Sequence, residues 1–184
     1  MSDQKDRMLR GELYQASDAE LAADHEQCRL LVERFNASSV TQRDERRALL
    51  QQLLGSLGED TEIKPPFQCD YGRLIHVGSR SFVNYGATIL DCAEVRIGDE
   101  VQIATGVQLL TATHPLEPTA RRNGWEYAES ISIADGVWLG GGVIVCPGVS
   151  IGENTVVGAG SVVTRDLPAG VLAVGNPCRV IRDI

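Results

Sequence analysis

Residues 133–168 read IADGVW LGGGVI VCPGVS IGENTV VGAGSV VTRDLP when broken every six positions. The openers Ile133, Leu139, Val145, Ile151, Val157 and Val163 are all aliphatic, and four positions on stand Val137, Val143, Val149, Thr155, Ser161 and Leu167. The same metre runs back through Ile97, Ile103 and Leu109 to Val77, Val83 and Ile89, with Ser81, Ala87, Ala93, Val101, Val107 and Thr113 in the small position. An α-helix would place apolar residues three and four apart, and a half-buried strand would alternate them. A period of six fits neither. It fits a coil of short strands with flat sides, three hexads to a turn, each opener stacking on the one eighteen residues later. That pattern is the signature of a β-solenoid. Gly78, Gly98, Gly140, Gly152 and Gly158 follow openers directly, where a sharp bend tolerates a residue without Cβ.

The metre breaks twice. A two-residue slip separates Glu94 from Ile97, and a longer interruption occupies residues 113–130. The interruption carries Pro115, Pro118, Arg121-Arg122 and an Asn123-Gly124 turn signal, then Trp125-Glu126-Tyr127, which are too large for a solenoid interior. Long insertions in compact domains are functional or disordered. The aromatic content argues for function.

The 184-residue chain has a net charge of −8 and only two lysines, Lys5 and Lys64, which argues against a nucleic-acid partner and gives no polybasic membrane signal. Five scattered cysteines without a Cys-x-x-Cys pair indicate neither a disulfide framework nor a zinc knuckle. A charged start and the lack of a long apolar run lead to the expectation of a soluble, cytoplasmic protein. The first sixty residues are helical in pattern. Ser17-Asp18-Ala19-Glu20 reads as a capping box ahead of Leu21, Cys28, Leu31, Val32 and Phe35. Thr41 with Asp44 is placed to cap a second helix bearing Leu49, Leu50, Leu53, Leu54 and Leu57, ending near Gly55 and Gly58. This leucine face requires a partner, either the solenoid flank or a neighbouring subunit. The organisation expected is therefore a helical segment over 1–60 and a coil over 61–184, with the inserted loop at 113–130 and a C-terminal cap.

Gly11-Glu12-Leu13-Tyr14, Cys69-Asp70-Tyr71-Gly72, Thr111-Ala112-Thr113-His114-Pro115, Val137-Trp138-Leu139-Gly140 and Gly175-Asn176-Pro177 together resemble the maltose and galactoside O-acetyltransferases, among which the chain looks most like the maltose O-acetyltransferases. The resemblance implies a mainly β protein, a left-handed parallel β-helix of hexapeptide repeats with a protruding loop. It further implies a homotrimer with acetyl-CoA bound between adjacent subunits, transfer of acetyl to a hydroxyl of a small sugar, and no metal.

His114 is the candidate general base. A sugar hydroxyl is far too weak an acid to lose its proton unaided at neutral pH, and an imidazole, with an ordinary pKa of about 6.5, can accept it. Pro115 restrains His114 to an extended backbone. His25 and His76 have no comparable setting and read as structural. Direct attack on the thioester needs no nucleophilic cysteine, so Cys92 and Cys146 rank as packing residues. Asp70, Asn84 and Asp91 match family positions that hydrogen-bond the acceptor, Phe82 and Trp138 offer apolar surface, and Glu126 in the loop is a further candidate acceptor contact. For coenzyme A the resemblance carries over Gly141, Ala159, Thr164, Arg165, Arg179 and Arg182, the guanidinium groups suiting the phosphates as forked, permanent donors. Backbone amides around Gly140-Gly141-Gly142 are the candidate oxyanion donors.

At the coenzyme position Gly141 replaces a hydroxyl side chain and leaves only a backbone contact, and two departures from the family pattern bear on specificity: Cys92 stands where the galactoside branch has a second aspartate, and Ala16 stands where it has an acidic acceptor contact. Galactoside preference is in doubt for that reason. Two other classes fit the repeat less well: a non-catalytic solenoid scaffold or regulatory subunit, which predicts no coenzyme binding, and a zinc hydratase coil, which needs more histidines than His76 and His114.

Overall fold

The computed structural model describes residues 2–184 and shows a parallel β-solenoid of three sheets, each turn laying one short strand on each sheet in succession. The first sheet stacks Ser56–Leu57, Ile75–Val77, Val95–Ile97, Ile131–Ile133 and Ser150–Ile151. The second runs from Glu62–Ile63 through Phe82–Val83, Gln102–Ile103, Trp138–Leu139 and Val156–Val157 to Val171–Val174, and the antiparallel strand Arg179–Asp183 closes it. The third stacks Phe67–Cys69, Ala87–Leu90, Gln108–Leu110, Ile144–Val145 and Val162–Val163. The openers of the metre are buried in one continuous core.

The register is regular on two edges of the coil and irregular on the third. Leu57 pairs with Val77 and Val77 with Ile97, a spacing of twenty residues. Ile97 pairs with Ile133, thirty-six on, and Ile133 with Ile151, eighteen on. A final bridge joins Ile151 to Leu167, sixteen on. Stacking at eighteen residues therefore holds for one step only. All the variation lies at the edge between the third sheet and the first, because the intervals within each turn, such as Ile97 to Ile103 to Leu109, stay at six.

The coil also starts earlier than the metre suggests. Leu57, expected on a helix, is the first opener, followed by Ile63 and Cys69, so strand pairing begins at Ser56, ahead of residue 60.

Glycine follows the openers for a different reason from the one expected. Gly140 does not have a positive φ; a Cβ there would stand 2.6 Å from the Ala159 amide nitrogen of the next turn, with only backbone around it. The left-handed positions are elsewhere, for example Gly106 at φ +71, where a Cβ would meet nothing within 4 Å.

Three helices cover the open start of the coil: α1 (Asp3–Leu9), α2 (Ala19–Ala37) and α3 (Arg43–Leu53). The cap of α2 is Asp18 rather than Ser17; its carboxylate accepts from the Glu20 and Leu21 amides at 3.0 and 3.3 Å. Neither Thr41 nor Asp44 caps α3, whose N-cap is Gln42 without a side-chain bond. The leucine face of α3 finds its partner in the coil: Leu49, Leu50, Leu53 and Leu54 share a core with Val32, Phe35, Ile63, Phe67 and Ile75. Asn36 finishes the exposed edge of the third sheet, donating to the Phe67 carbonyl and accepting from its amide, both at 2.9 Å. An unpaired strand edge is thereby closed. Among the described residues no helix is long and apolar enough to cross a membrane.

Gly140→Ala should lower stability by about 3 kcal/mol, because overpacking against immovable backbone costs roughly that much. Gly106→Ala should lose about 1 kcal/mol, the cost of a left-handed alanine. Urea midpoints in the reverse order would contradict this account of the glycines.

Candidate active site

The inserted loop grows from the irregular edge. Thr111 to Ile131 spans twenty residues where the equivalent Asp91 to Val95 spans four. Thr111 anchors the departure, its buried hydroxyl donating to the Leu90 carbonyl at 2.6 Å and accepting from the Ala93 amide at 3.0 Å. Beyond it Ala112–Thr113 pairs antiparallel with Trp125–Ala128, and the Glu129 amide closes the hairpin on the Thr111 carbonyl at 3.0 Å. A short helix at the tip, α4 (Pro118–Arg122), is capped by Glu117, and Arg121 ties back to the Pro115 and Leu116 carbonyls. The excursion is thus an ordered arm.

The N-terminal segment adds a third strand to this arm. Tyr14–Gln15 pairs antiparallel with Trp125–Glu126, and Arg7 lies over the Trp125 ring at 5.8 Å. Sequence reading gave Tyr14 no role.

His114 sits at the root of the arm with its side chain 55% exposed, and its Nε2 is 3.9 Å from a carboxylate oxygen of Glu126, whose side chain is only 14% exposed. Burial raises the Glu126 carboxyl above its ordinary range, while His114 and Tyr14 pull it down and Asp70 pushes it up. The imidazole therefore faces solvent on one side and a buried acid on the other. That placement makes Glu126 a partner of His114.

Asp70 and Asp91 share the corner below the loop but differ in what they can do. Asp91 is fully buried, and its carboxylate accepts from the amides of Asp70 at 3.0 Å, Tyr71 at 2.9 Å and Leu74 at 3.4 Å. Through these three amides the Asp91 carboxylate holds the turn. Burial pushes its carboxyl up to about 7, against the opposing pull of those amides. Asp70 is part-exposed, accepts from the Cys92 thiol at 3.4 Å and lies 3.9 Å from His25 Nε2. Burial raises it also, opposed by Cys92 and His25. His25, read as structural, is thus brought from α2 to the candidate acceptor carboxylate, beside the Tyr71 ring. His76 keeps a structural setting, bonded to Ser56 and near Glu94.

The remaining candidates lie elsewhere on the chain. Asn84, Gly141 and Ala159 are on the edge between the second and third sheets, and Phe82 and Trp138 are outward on the second sheet, two rungs apart through Gln102. Asn84 turns its side-chain oxygen to the Tyr85 amide. Thr164 and Arg165 follow the third sheet on the same edge as the loop, and Arg179 and Arg182 are exposed on the closing strand of the second sheet. Four or five residues at ~3.3 Å each put roughly 15 Å of sheet between the two edges. One chain does not bring these groups together. Two of the three amides expected to serve an oxyanion are already committed, Gly140 to the Val157 carbonyl at 2.8 Å and Gly142 to Thr105 at 2.9 Å.

A model of the maltose acetyltransferase hexapeptide capping motif matches residues 7–58, and one of the bacterial transferase hexapeptide (six repeats) matches residues 130–165. The galactoside O-acetyltransferase of Lactococcus lactis is 41% identical over 174 residues, which cover 94% of this chain and 84% of that protein. The chain belongs to the maltose and galactoside O-acetyltransferase family. It is accordingly an acetyltransferase, and two crystal structures extend the likeness to the whole fold. A maltose O-acetyltransferase from Clostridium difficile 630 is 43% identical with a TM-score of 0.97, over 100% of this chain and 98% of that one. A hexapeptide-repeat acetyltransferase from Vibrio cholerae O1 biovar eltor, complexed with acetyl coenzyme A, is 38% identical with a TM-score of 0.92, over 100% and 98%. Among the described residues no group of three or more His, Cys, Asp or Glu converges as a metal centre would require.

Asp91→Asn should destabilise the protein by about 1–2 kcal/mol, because one amide would face a donor in place of an acceptor. The pH dependence carries its sign. Asp91 takes its proton near pH 7 when folded and near 3.9 when unfolded, so wild type should gain stability relative to Asp91→Asn as pH falls from about 7 to about 4. Thermal melts of the two proteins across that window measure it, and parallel curves would show that Asp91 stays ionised in the fold.

Proposed function

We propose that the chain moves the acetyl group of acetyl-CoA to a hydroxyl of a small sugar, maltose, glucose or a related glycoside, by direct attack with His114 as general base. The observation that carries this reading is the exposed His114 imidazole backed by the nearly buried Glu126 carboxylate. One ring nitrogen faces that carboxylate and the other is left for the sugar hydroxyl. The hydroxyl gives its proton to the imidazole as its oxygen attacks the thioester carbonyl, and the imidazolium stands beside an anion while charge develops. When the carbon–sulfur bond breaks, the proton passes to the departing thiolate, so the imidazole is returned neutral. General base catalysis of this kind contributes about 10²- to 10⁴-fold.

The donor is supported by the Vibrio cholerae neighbour complexed with acetyl coenzyme A. Arg179 and Arg182, with Arg165 and Thr164, supply permanent charge and hydrogen bonds for its phosphates, while Gly141 and Ala159 leave room for backbone contact. Because the base lies on one edge of the coil and Gly141 and Ala159 lie on another, the site is completed by a second copy of the chain placed edge to edge, three copies closing a ring. The acceptor side consists of Asp70, with Phe82, Asn84 and Trp138 supplied by the neighbouring copy. Cys92 in place of an aspartate, with its thiol already directed at Asp70, removes a negative acceptor of hydrogen bonds from this corner and favours maltose or glucose over a galactoside.

His114→Ala should lower kcat for sugar-dependent release of free thiol from acetyl-CoA by about 10²- to 10⁴-fold, with the oligomer unchanged by light scattering. Activity within a few-fold of wild type would remove His114 from the mechanism. In an acceptor panel read by the same thiol release, maltose and glucose should show higher kcat/KM than a β-galactoside; the opposite ranking would refute the specificity reading.

A further inference from the structure

The three strands of the arm align three side chains in one row. Tyr14 stands directly opposite Glu126, and Thr113 directly opposite Tyr127, so the next residue, His114, continues the rung to Glu126 from the other side. Residues directly opposite in an antiparallel pair share a face, with Cβ atoms about 4.5–5.5 Å apart. His114, Glu126 and Tyr14 therefore lie side by side across the sheet, although Tyr14 is 112 residues from Glu126 in sequence.

Tyr14 is fully buried, and its hydroxyl is the buried side-chain polar atom among the described residues that finds no hydrogen-bond partner. A buried hydroxyl left unpartnered loses its hydration without recompense. The hydroxyl lies close enough to Cys92 and Glu126 to influence their ionisation, yet outside hydrogen-bonding geometry with either. The Cys92 thiol is directed at Asp70. Around the Glu126 carboxylate stand His114 from the ingoing strand, Tyr14 from the N-terminal strand, and Asp70, Tyr71 and Cys92 from the coil corner. Asp70 and the loss of solvent both favour a protonated Glu126, which would deprive His114 of its anion. In the row itself the Tyr14 hydroxyl is the neutral donor that opposes them. Catalytic hydrogen bonds are often long in the unliganded protein and tighten in the reacting complex.

We propose that Tyr14 is a positioning residue for the acetyl transfer: its hydroxyl closes onto the Glu126 carboxylate and keeps it ionised and aligned against His114. The proposal rests on the reading of His114 as general base. It gives the N-terminal segment a part in the chemistry without contact with either substrate.

The test uses Tyr14→Phe, Glu126→Gln and the double variant, with acetyl-CoA and maltose as substrates. Tyr14→Phe should lower kcat about five- to tenfold, the size of one hydrogen bond, with KM for both substrates within about twofold. The acid limb of its kcat/KM profile should move to higher pH, since Glu126 without its donor holds a proton longer. Adding Tyr14→Phe to Glu126→Gln should cost nothing more, because the hydroxyl acts only through the carboxylate. Wild-type kcat with an unmoved limb, or losses that multiply in the double variant, would overturn the proposal. Should the phenylalanine variant fail to fold, 3-fluorotyrosine at position 14 decides: its stronger donor should move the limb to lower pH, and an unmoved limb refutes the role. His114→Ala with full activity defeats the underlying mechanism, whereas an inactive His114→Ala beside a wild-type-like Tyr14→Phe defeats only the role of Tyr14.

Discussion

The structure depends on the vertical register between successive turns. Each opener sits on the opener of the next turn while its strand exchanges backbone hydrogen bonds with the strands above and below, as where Trp138 donates to the Thr155 carbonyl and Gly140 to Val157. A slip of one residue would turn every buried aliphatic side chain outward. Two of the three edges are consequently fixed in length. On the first, a polar side chain from the next turn caps the bend: the Asp99 carboxylate accepts from the Ser79 amide at 2.7 Å and Asp135 from the Asp99 amide at 2.8 Å. On the second, glycines with positive φ, Gly86, Gly106, Gly142 and Gly160, recur at equivalent positions.

The third edge absorbs every change in turn length, and Asp70, His114 and Glu126 lie along it. A corner that lies outside the repeating register can lengthen without disturbing the stack, provided that the chain leaves and returns in phase. Thr111 and the closing bond from Glu129 fix both ends of the large excursion. Asp91 does the same for the smaller one, gathering the amides of Asp70, Tyr71 and Leu74. Rigid edges and an adjustable one explain how a single coil can keep its stack in register while one corner carries an arm.

The openers from Val77 onward were legible because burial repeats locally and each residue type reports its own environment. The first turn was not, since Cys69 is not aliphatic and Leu57 continues a run of leucines that fits a helix equally well. Asp91 was legible as important but its hold on the turn was not, because a carboxylate that caps a turn and one that binds a hydroxyl are the same letter. The pairing of Tyr14 with Glu126 was invisible for a different reason: it is two residues long and joins distant segments, so no periodicity announces it. The division of candidates between two edges follows from register alone, yet only when the corner lengths are known.

The arm itself illustrates how a weakly specified element becomes a dependable one. A two-stranded hairpin is marginal in water, and the pair formed by Ala112–Thr113 and Trp125–Ala128 is short. The strand Tyr14–Gln15 converts it to three strands, and α1 adds the contact of Arg7 with Trp125 and a bond from Arg7 to the Leu13 carbonyl at 2.6 Å. Helix α1 is in turn clamped to α2 through Lys5, Glu20 and Asp24, and α2 is packed on the coil through Val32 and Phe35. The loop that carries His114 is therefore braced at its root by the solenoid and along its outer strand by the N-terminus. Loosening α1 would reach His114 through the Tyr14 strand before it disturbed the stacked core.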